Sequence, residues 1–511
     1  VSGGGRPPGV TVEPWDPHNQ ALVANVHPPG WENPVPAGRY NLVALGGGTA
    51  GLVSAIAAAG LGARVALVER HLMGGDCLNV GCVPSKALLR AARAAADVAR
   101  AGELGVEVPA GARVDFGRVM ERMRRLRAGI SRADSAARYR DLGVDVYLGH
   151  GRFVGPDRIA VGARVLRFAR AVIATGARPA APPIPGLAAA GFLTNETVFG
   201  LTALPARLAV IGAGPIGCEL AQAFARFGAR VTLVEIAPGI LGREDRDAAA
   251  LVEQALVRDG VRVLCGRTIT RVERDGADRV LHLQRDGTGE ALRVDEILVG
   301  AGRAPNVEDL GLEAAGVAHD TVAGVRVDDR LRTTNPRVYA AGDVCAPLKF
   351  THNSDAQARL VIQNALFLGR ARASRLLIPS CTYTDPEVAS VGLGPAEAAE
   401  RGLRLRTFVQ ELAEVDRAVL DGETAGFVKV HVGEGGDRIL GATIVARHAG
   451  ELLPELVLAM QHRIGLGALA RAVHAYPTQA EAIRKLGDAY NRTRLTPVVR
   501  RLLASWLRWS R

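Results

Sequence analysis

The tightest constraint on what this chain can fold into is a unit that occurs twice. In the first copy the apolar run Tyr40-Asn41-Leu42-Val43-Ala44-Leu45 meets Gly46-Gly47-Gly48-Thr49-Ala50-Gly51, and a helical run from Leu52 to Gly60 follows. A second apolar run, Arg64 to Val68, ends at Glu69, 18 positions after the last glycine. Glycines suit these places because backbone must approach a pyrophosphate at a helix N-terminus. The acid closing the second strand can accept from ribose hydroxyls. In the second copy Arg207 to Ile211 leads into Gly212-Ala213-Gly214-Pro215-Ile216-Gly217; a helix from Cys218 to Phe227 and a strand from Val231 to Val234 follow, closed by Glu235. A single G-x-G-x-x-G is weak, but with these flanks, and twice, it predicts two dinucleotide sites. Two dinucleotides in one chain imply transfer between them, which points to a flavin- and nicotinamide-dependent enzyme. Glu235 should repel a 2′-phosphate and receive a 2′-hydroxyl, favouring NADH, with Arg243 and Arg246 pulling the other way.

Between these units lies Gly74-Gly75-Asp76-Cys77-Leu78-Asn79-Val80-Gly81-Cys82-Val83-Pro84-Ser85-Lys86, with an apolar helical pattern after it. In a regular helix, residues with this spacing have Cα atoms roughly 8–9 Å apart, whereas a disulfide wants about 4.4–6.8 Å. If Cys77 and Cys82 bond, Cys77 must therefore lie in the turn before the helix. At a helix start, where a thiolate is stabilised, such a pair reads as a working dithiol. The other reading is two free thiols in a buried loop.

The neighbours of the cysteines favour the dithiol. Gly-Gly-x-Cys-x-x-x-x-Cys-x-Pro-x-Lys resembles the redox motif of the FAD-dependent pyridine nucleotide–disulfide oxidoreductases, the family of dihydrolipoamide dehydrogenase, glutathione reductase and mercuric reductase. The resemblance runs from about residue 40 to about residue 490. It implies an α/β fold with two Rossmann-like domains, one for FAD and one for NAD, plus an α+β C-terminal dimerisation domain. The expected organisation is an extension at 1–38, the FAD domain at 39–185 and 304–375, the NAD domain at 186–303, the interface domain at 376–492 and a tail at 493–511.

The resemblance also implies roles. Cys77 meets the substrate, Cys82 pairs as thiolate with the flavin, and Lys86 lies near the flavin with Glu219 as its partner; the other reading of Glu219 is a solvent-facing first-turn acid. FAD is held by Gly46, Gly48, Gly51, Glu69, Gly75, Thr175, Gly176 and Asp343. NADH is held by Gly212, Gly214, Gly217, Glu235 and Gly302. Ala171 to Gly176 resembles the exit from the FAD domain and Gly302-Arg303-Ala304-Pro305-Asn306 the return to it. Ile236 and Gly242 stand where NADPH-using relatives carry arginines. The implied relay runs from NADH through FAD to the Cys77–Cys82 disulfide, in a homodimer whose sites borrow residues from each other.

Composition sets outer limits. At 511 residues and 48% hydrophobic content the chain can bury large cores in two to four domains. The formal charge of +11 is spread along the chain without a tract, so nucleic acid is not expected as a partner. Six cysteines do not make a secreted disulfide framework. A reducing, cytoplasmic setting fits, and no apolar run is long enough to span a bilayer. Cys218, Cys265, Cys345 and Cys381 read as buried small hydrophobes. Residues 1–38, rich in Gly and Pro, read as an extension draped on the surface or a linker.

The substrate question turns on Ala472-Val473-His474-Ala475-Tyr476-Pro477-Thr478-Gln479-Ala480-Glu481, which resembles the family's His-Pro-Thr-x-x-Glu. Tyr476 holds the place of the general-base His, which in dihydrolipoamide dehydrogenase Glu481's counterpart orients. A phenol with a pKa of about 10 is a poor base near neutral pH. Mercuric reductases resemble this chain at that position, but their Cys-Cys pair near the C-terminus and Cys-x-x-Cys metal-binding domain have no counterpart in this sequence. His474 is a substitute base if the segment is extended, and Glu481 either orients Tyr476 or pairs locally. No permanent metal is expected; Cys77 and Cys82 are transient ligands for a soft ion. Three functions compete: reduction of a soft metal ion or small disulfide, dihydrolipoamide-type dithiol oxidation, and a non-catalytic flavoprotein. After Pro497, Val498, Val499, Leu502, Leu503, Trp506 and Leu507 share a helical face flanked by Arg500, Arg501 and Arg508. That face is expected to pack on the dimer, contact with an anionic membrane being the other reading.

Overall fold

The computed structural model describes residues 6–109 and 111–511. The chain forms two compact units, the first from residues 1–212, 223–234 and 267–376, the second from 213–222, 235–266 and 377–511.

The first unit is built on a seven-stranded sheet. Val144–Leu148, Val65–Glu69, Arg39–Leu45 and Arg164–Ile173 run side by side and parallel. Val338–Ala340 joins the far end of Arg164–Ile173 in parallel, while Arg158–Val161 pairs antiparallel with its start. Both faces are covered, so the central strands are apolar throughout: Leu42, Val43, Ala44, Leu67 and Val172 have no exposed surface. Thr49–Gly60 packs on one face as the crossover helix. The parallel strands Arg207–Ile211, Arg230–Val234 and Glu296–Val299 repeat the pattern. Two short strands, Ala177–Pro179 and Arg303–Pro305, pair antiparallel, so the chain's exit and return segments are hydrogen-bonded to each other.

Of the extension expected at 1–38, residues 1–5 lie outside the described residues, and the rest differs from the expectation of a surface extension or linker. Pro17–Val26 is a helix started by Asp16, whose carboxylate accepts from the Asn19 backbone N–H at 2.8 Å, with proline in the first turn. Leu22, Val23 and Val26 are fully buried in the same core as Leu42 and Ala44. Arg124 and Arg127 tie the helix down by donating to Asp16 and Asn19 at 2.5 and 2.7 Å. The flanking prolines disguised a short apolar stripe.

The second unit holds the antiparallel sheet Ser380–Thr382, Glu387–Gly392, Ile439–Ala446, Phe427–Gly433, Leu405–Glu411, in that order. Ala449–Gln461 and Glu481–Thr493 cover it, burying Leu453, Leu456, Ile483 and Leu486 against Val430 and Ile444. The fold class is the one the sequence implied: α/β with Rossmann-like sheets and an α+β C-terminal part. Pro497–Trp509, whose apolar face was expected to pack on the dimer, is a helix without a buried residue within this single chain. Of the four cysteines expected to be core, Cys218 alone is fully buried; Cys265, Cys345 and Cys381 are half-buried.

Candidate functional site

The first glycine turn is a cradle that side chains would fill. A Cβ on Gly51 would lie 1.8 Å from the Gly46 carbonyl oxygen, and Gly46 itself has φ +111° with Ala174 O at 2.3 Å from its would-be Cβ. The close approach lets the helix begin at Thr49, inside the motif, so that its free N–H groups open beside Gly48. Gly75 packs on Gly48, within 2.6 Å of Gly48 Cα for an added Cβ, joining the dithiol segment to this turn. Glu69 ends its strand buried, accepting from the N–H groups of Gly47 at 2.6 Å and His71 at 2.7 Å. Burial pushes its carboxyl up, and those two donors hold it back. A cavity of about 310 Å³ opens among Gly46, Glu69, Arg70, Thr175, Arg178 and Asn306. The Thr175 hydroxyl donates to Asn306 O at 2.7 Å, and Asn306 Nδ2 donates back to Thr175 O at 2.9 Å. Gly176 follows with φ +69°. This backbone-lined hollow beside an acid suits a dinucleotide.

Cys77 and Cys82 lie on two separate helices. Cys77 is in the single turn Gly75–Asn79, and Cys82 is the first residue of Cys82–Ala99. The chain breaks at Gly81, where a Cβ would stand 2.8 Å from Asp76 O. The sequence placed Cys77 in a turn before the helix; that turn is itself helical, and the sharp bend is at Gly81. Both sulfurs stand as thiols, hydrogen-bonded to each other. The Cys77 thiol is pushed up, first by its hydrogen bond to Cys82 and then by burial. Cys82 occupies a helix N-terminus, where negative charge is stabilised. Both effects favour the thiolate on Cys82 over Cys77. Thr351 Oγ1 lies 3.3 Å from Cys82 Sγ; this contact was not foreseen, because no spacing links residues 269 positions apart. Lys86 follows one turn into the same helix, half-buried.

Asp343 is mostly buried and its carboxyl is pushed up by that burial, with Arg303 Nε 3.6 Å away. Arg303 also donates to Asp76 and to Ala177 O, and its buried Nε has no hydrogen-bond partner among the described residues. Gly302 precedes it with φ +87°.

In the second unit, Glu235 accepts from the N–H of Ala213 at 2.7 Å and of Ala237 at 2.9 Å, repeating the arrangement at Glu69. A Cβ on Gly214 would meet nothing within 4 Å, so the start of Pro215–Arg226 is open. Gly217 sits in the first turn of that helix. Glu219 is buried, not solvent-facing, and accepts from the Tyr383 N–H at 2.9 Å. Tyr476 is 71% exposed and donates its hydroxyl to Asp416 Oδ2 at 2.8 Å. That bond pushes the phenol up, further from base duty. His474 turns to a different partner, Glu455, at 3.0 and 3.2 Å. Glu481 pairs with Arg484 at 2.7 Å, the local alternative the sequence had allowed. Asp416 and Glu455 were not foreseen.

Residues 40–358 match the family model for pyridine nucleotide-disulphide oxidoreductases, and residues 378–486 match that family's dimerisation domain. Mercuric reductase of Staphylococcus aureus is 32% identical over 474 residues, covering 91% of this chain and 86% of its own length. Dihydrolipoyl dehydrogenase of Thermus scotoductus is 34% identical over 465 residues, covering 89% of this chain and 98% of its own. Among solved structures, the Cu(II) complex of the HOCl-induced flavoprotein disulfide reductase RclA from Escherichia coli superposes with a TM-score of 0.79 at 28% identity, covering 89% of this chain and 100% of that one.

Proposed function

Since the chain belongs to the pyridine nucleotide-disulphide oxidoreductases, FAD- and pyridine-nucleotide-dependent enzymes with a dimerisation domain, we propose that it is an NADH-dependent reductase of a soft metal ion, of the mercuric-reductase kind. The observation that carries this reading is Tyr476: the place of the base holds a phenol whose proton is committed to Asp416 and whose pKa is raised. A dithiol substrate needs a proton acceptor there; a soft cation does not. Mercuric reductases at 32–35% identity agree with it.

FAD and the nicotinamide, when bound, supply the two-electron transfer. The residues of this chain do the rest. Gly46, Gly48, Gly51, Gly75, Thr175, Gly176 and the acids Glu69 and Asp343 fit the flavin dinucleotide. Gly212, Gly214, Gly217, Glu235 and Gly302 fit the nicotinamide dinucleotide, and the carboxylate of Glu235 favours NADH over NADPH. Cys82, ionised first, presents a thiolate; Cys77, once ionised, joins it as second ligand to the ion. Lys86 is assigned to the flavin and Glu219 to the nicotinamide. For mercury the balance is NADH + Hg²⁺ → NAD⁺ + H⁺ + Hg⁰, with no other reactant.

The second reading is a dihydrolipoyl-type dehydrogenase with His474 as base. The Thermus relative speaks for it, and the Glu455 contact supplies a carboxylate that would orient the ring. Anaerobic reduction with NADH, followed by assay with Hg²⁺, Cu²⁺, lipoamide and glutathione disulfide, separates the two. Turnover with the metal ions and little with lipoamide is expected; brisk lipoamide turnover overturns the assignment of Tyr476.

A further inference from the structure

The helix Pro497–Trp509 is well formed yet wholly exposed. Thr496 caps it by accepting from the Val499 N–H at 3.3 Å, and Pro497 holds the first position. At about 100° per residue, Val498, Val499, Leu502, Leu503, Trp506 and Trp509 fall on one half of the cylinder. Arg500, Arg501 and Arg508 fall on the other. The apolar half stands in water: Leu502 is 65% exposed, Trp506 61% and Trp509 78%. After Asp488 the sequence has no acidic residue, while Arg492, Arg494, Arg500, Arg501, Arg508 and Arg511 are all cationic. A helix this short is marginal by itself in water, so the apolar face calls for a cover.

A second copy of the tail is the poorer cover. It would bring two segments of like charge together with no acidic side chain on either to neutralise them. The family's dimerisation model also ends at residue 486, before the helix begins. An anionic lipid surface satisfies both halves, taking the leucines and tryptophans into the headgroup boundary and pairing the arginines with phosphates. No helix among the described residues is long and apolar enough to cross a membrane, so the contact is in-plane. We propose that Pro497–Trp509 is an interfacial anchor that seats this enzyme on anionic bilayers. The homodimer carries two such helices, and their joint binding makes up for the weakness of one.

The test is co-sedimentation of the full-length, FAD-loaded protein with phosphatidylcholine vesicles containing either none or about 30 mol% phosphatidylglycerol, at about 0.1 M salt. The wild type is expected to pellet with the anionic vesicles only. The double variant Leu502→Asp/Trp506→Asp and the triple variant Arg500→Gln/Arg501→Gln/Arg508→Gln should each lose at least about tenfold in partitioning. Both should keep wild-type NADH oxidation and a dimer's sedimentation coefficient. Absence of wild-type binding, equal binding to both vesicles, or variants that bind as well as wild type would overturn the anchor. Variants that dissociate to monomers would assign the face to a second copy instead. The readout involves no electron transfer, so its outcome is separate from that of the substrate assignment.

Discussion

The dithiol segment and the segment around Tyr476 are fixed in opposite ways. Cys77 and Cys82 are positioned by backbone: Gly75 lies on Gly48, Gly81 lies on Asp76 O, and the bend between two helices follows from those contacts. Tyr476 and His474 are positioned by side chains, each through a carboxylate remote in sequence, Asp416 and Glu455. Geometry set by close-packed backbone tolerates no added atom. A geometry set by one exposed hydrogen bond tolerates substitution at modest cost, and is the natural place for a family to change substrate.

That contrast can be pressed by mutation. The largest effect belongs to Cys82→Ser, which should lower NADH-dependent metal-ion reduction by about 10³-fold or more while leaving FAD bound; steady-state assay on the flavin-loaded variant checks it. Gly51→Ala comes next, because its methyl would collide with the Gly46 carbonyl at 1.8 Å. It should cost about 3 kcal/mol or more in thermal melts and release FAD. Gly214→Ala, with open space over it, should melt within about 1 kcal/mol of wild type and reveal itself only as a raised KM for NADH. Equal losses from both alanines would break the distinction between packed and open turns.

In the other region Tyr476→Phe should slow metal-ion reduction by about tenfold, the worth of one hydrogen bond. Tyr476→His should raise lipoamide turnover, read from the two substrates in parallel. The smallest effect concerns ionisation. Thr351→Val removes the hydroxyl 3.3 Å from Cys82 Sγ, a group whose hydrogen bonding holds the Cys77 thiol down, and should move the pair's ionisation to higher pH. Because Cys77 is pushed up by its bond to Cys82, the wild-type dithiol should lose its first proton from Cys82 as pH rises and its second from Cys77 well above the ordinary cysteine range. Carbon-13 shifts of the two cysteine Cβ atoms, followed against pH, would show the order, and Cys77 ionising first would reverse the assignment.

The same contrast explains what was legible beforehand. The glycine turns, Glu69, Glu235 and the Cys77–Cys82 segment could be read because the geometry they require is encoded within a few neighbouring residues. The exit at Ala171–Gly176 and the return at Gly302–Asn306 came through resemblance, but the pairing of Ala177–Pro179 with Arg303–Pro305 was not foreseen, since nothing local joins them. Thr351, Asp416 and Glu455 could not be read at all: each meets its partner across a chain distance that no periodicity spans. The buried helix Pro17–Val26 was hidden differently, by prolines that serve as its start and stop but read as coil. The amphipathic tail was visible as a pattern, yet a pattern specifies a face and not its cover.

The central claim is that electrons from NADH arrive at Cys77 and Cys82. Anaerobic titration of the FAD-loaded protein with NADH, quenched with an alkylating agent and mapped by peptide mass spectrometry, tests it directly. The account predicts that both cysteines become alkylatable together, in step with NADH consumed, while Cys218 stays protected. Bleaching of the flavin with Cys77 and Cys82 unchanged would contradict it.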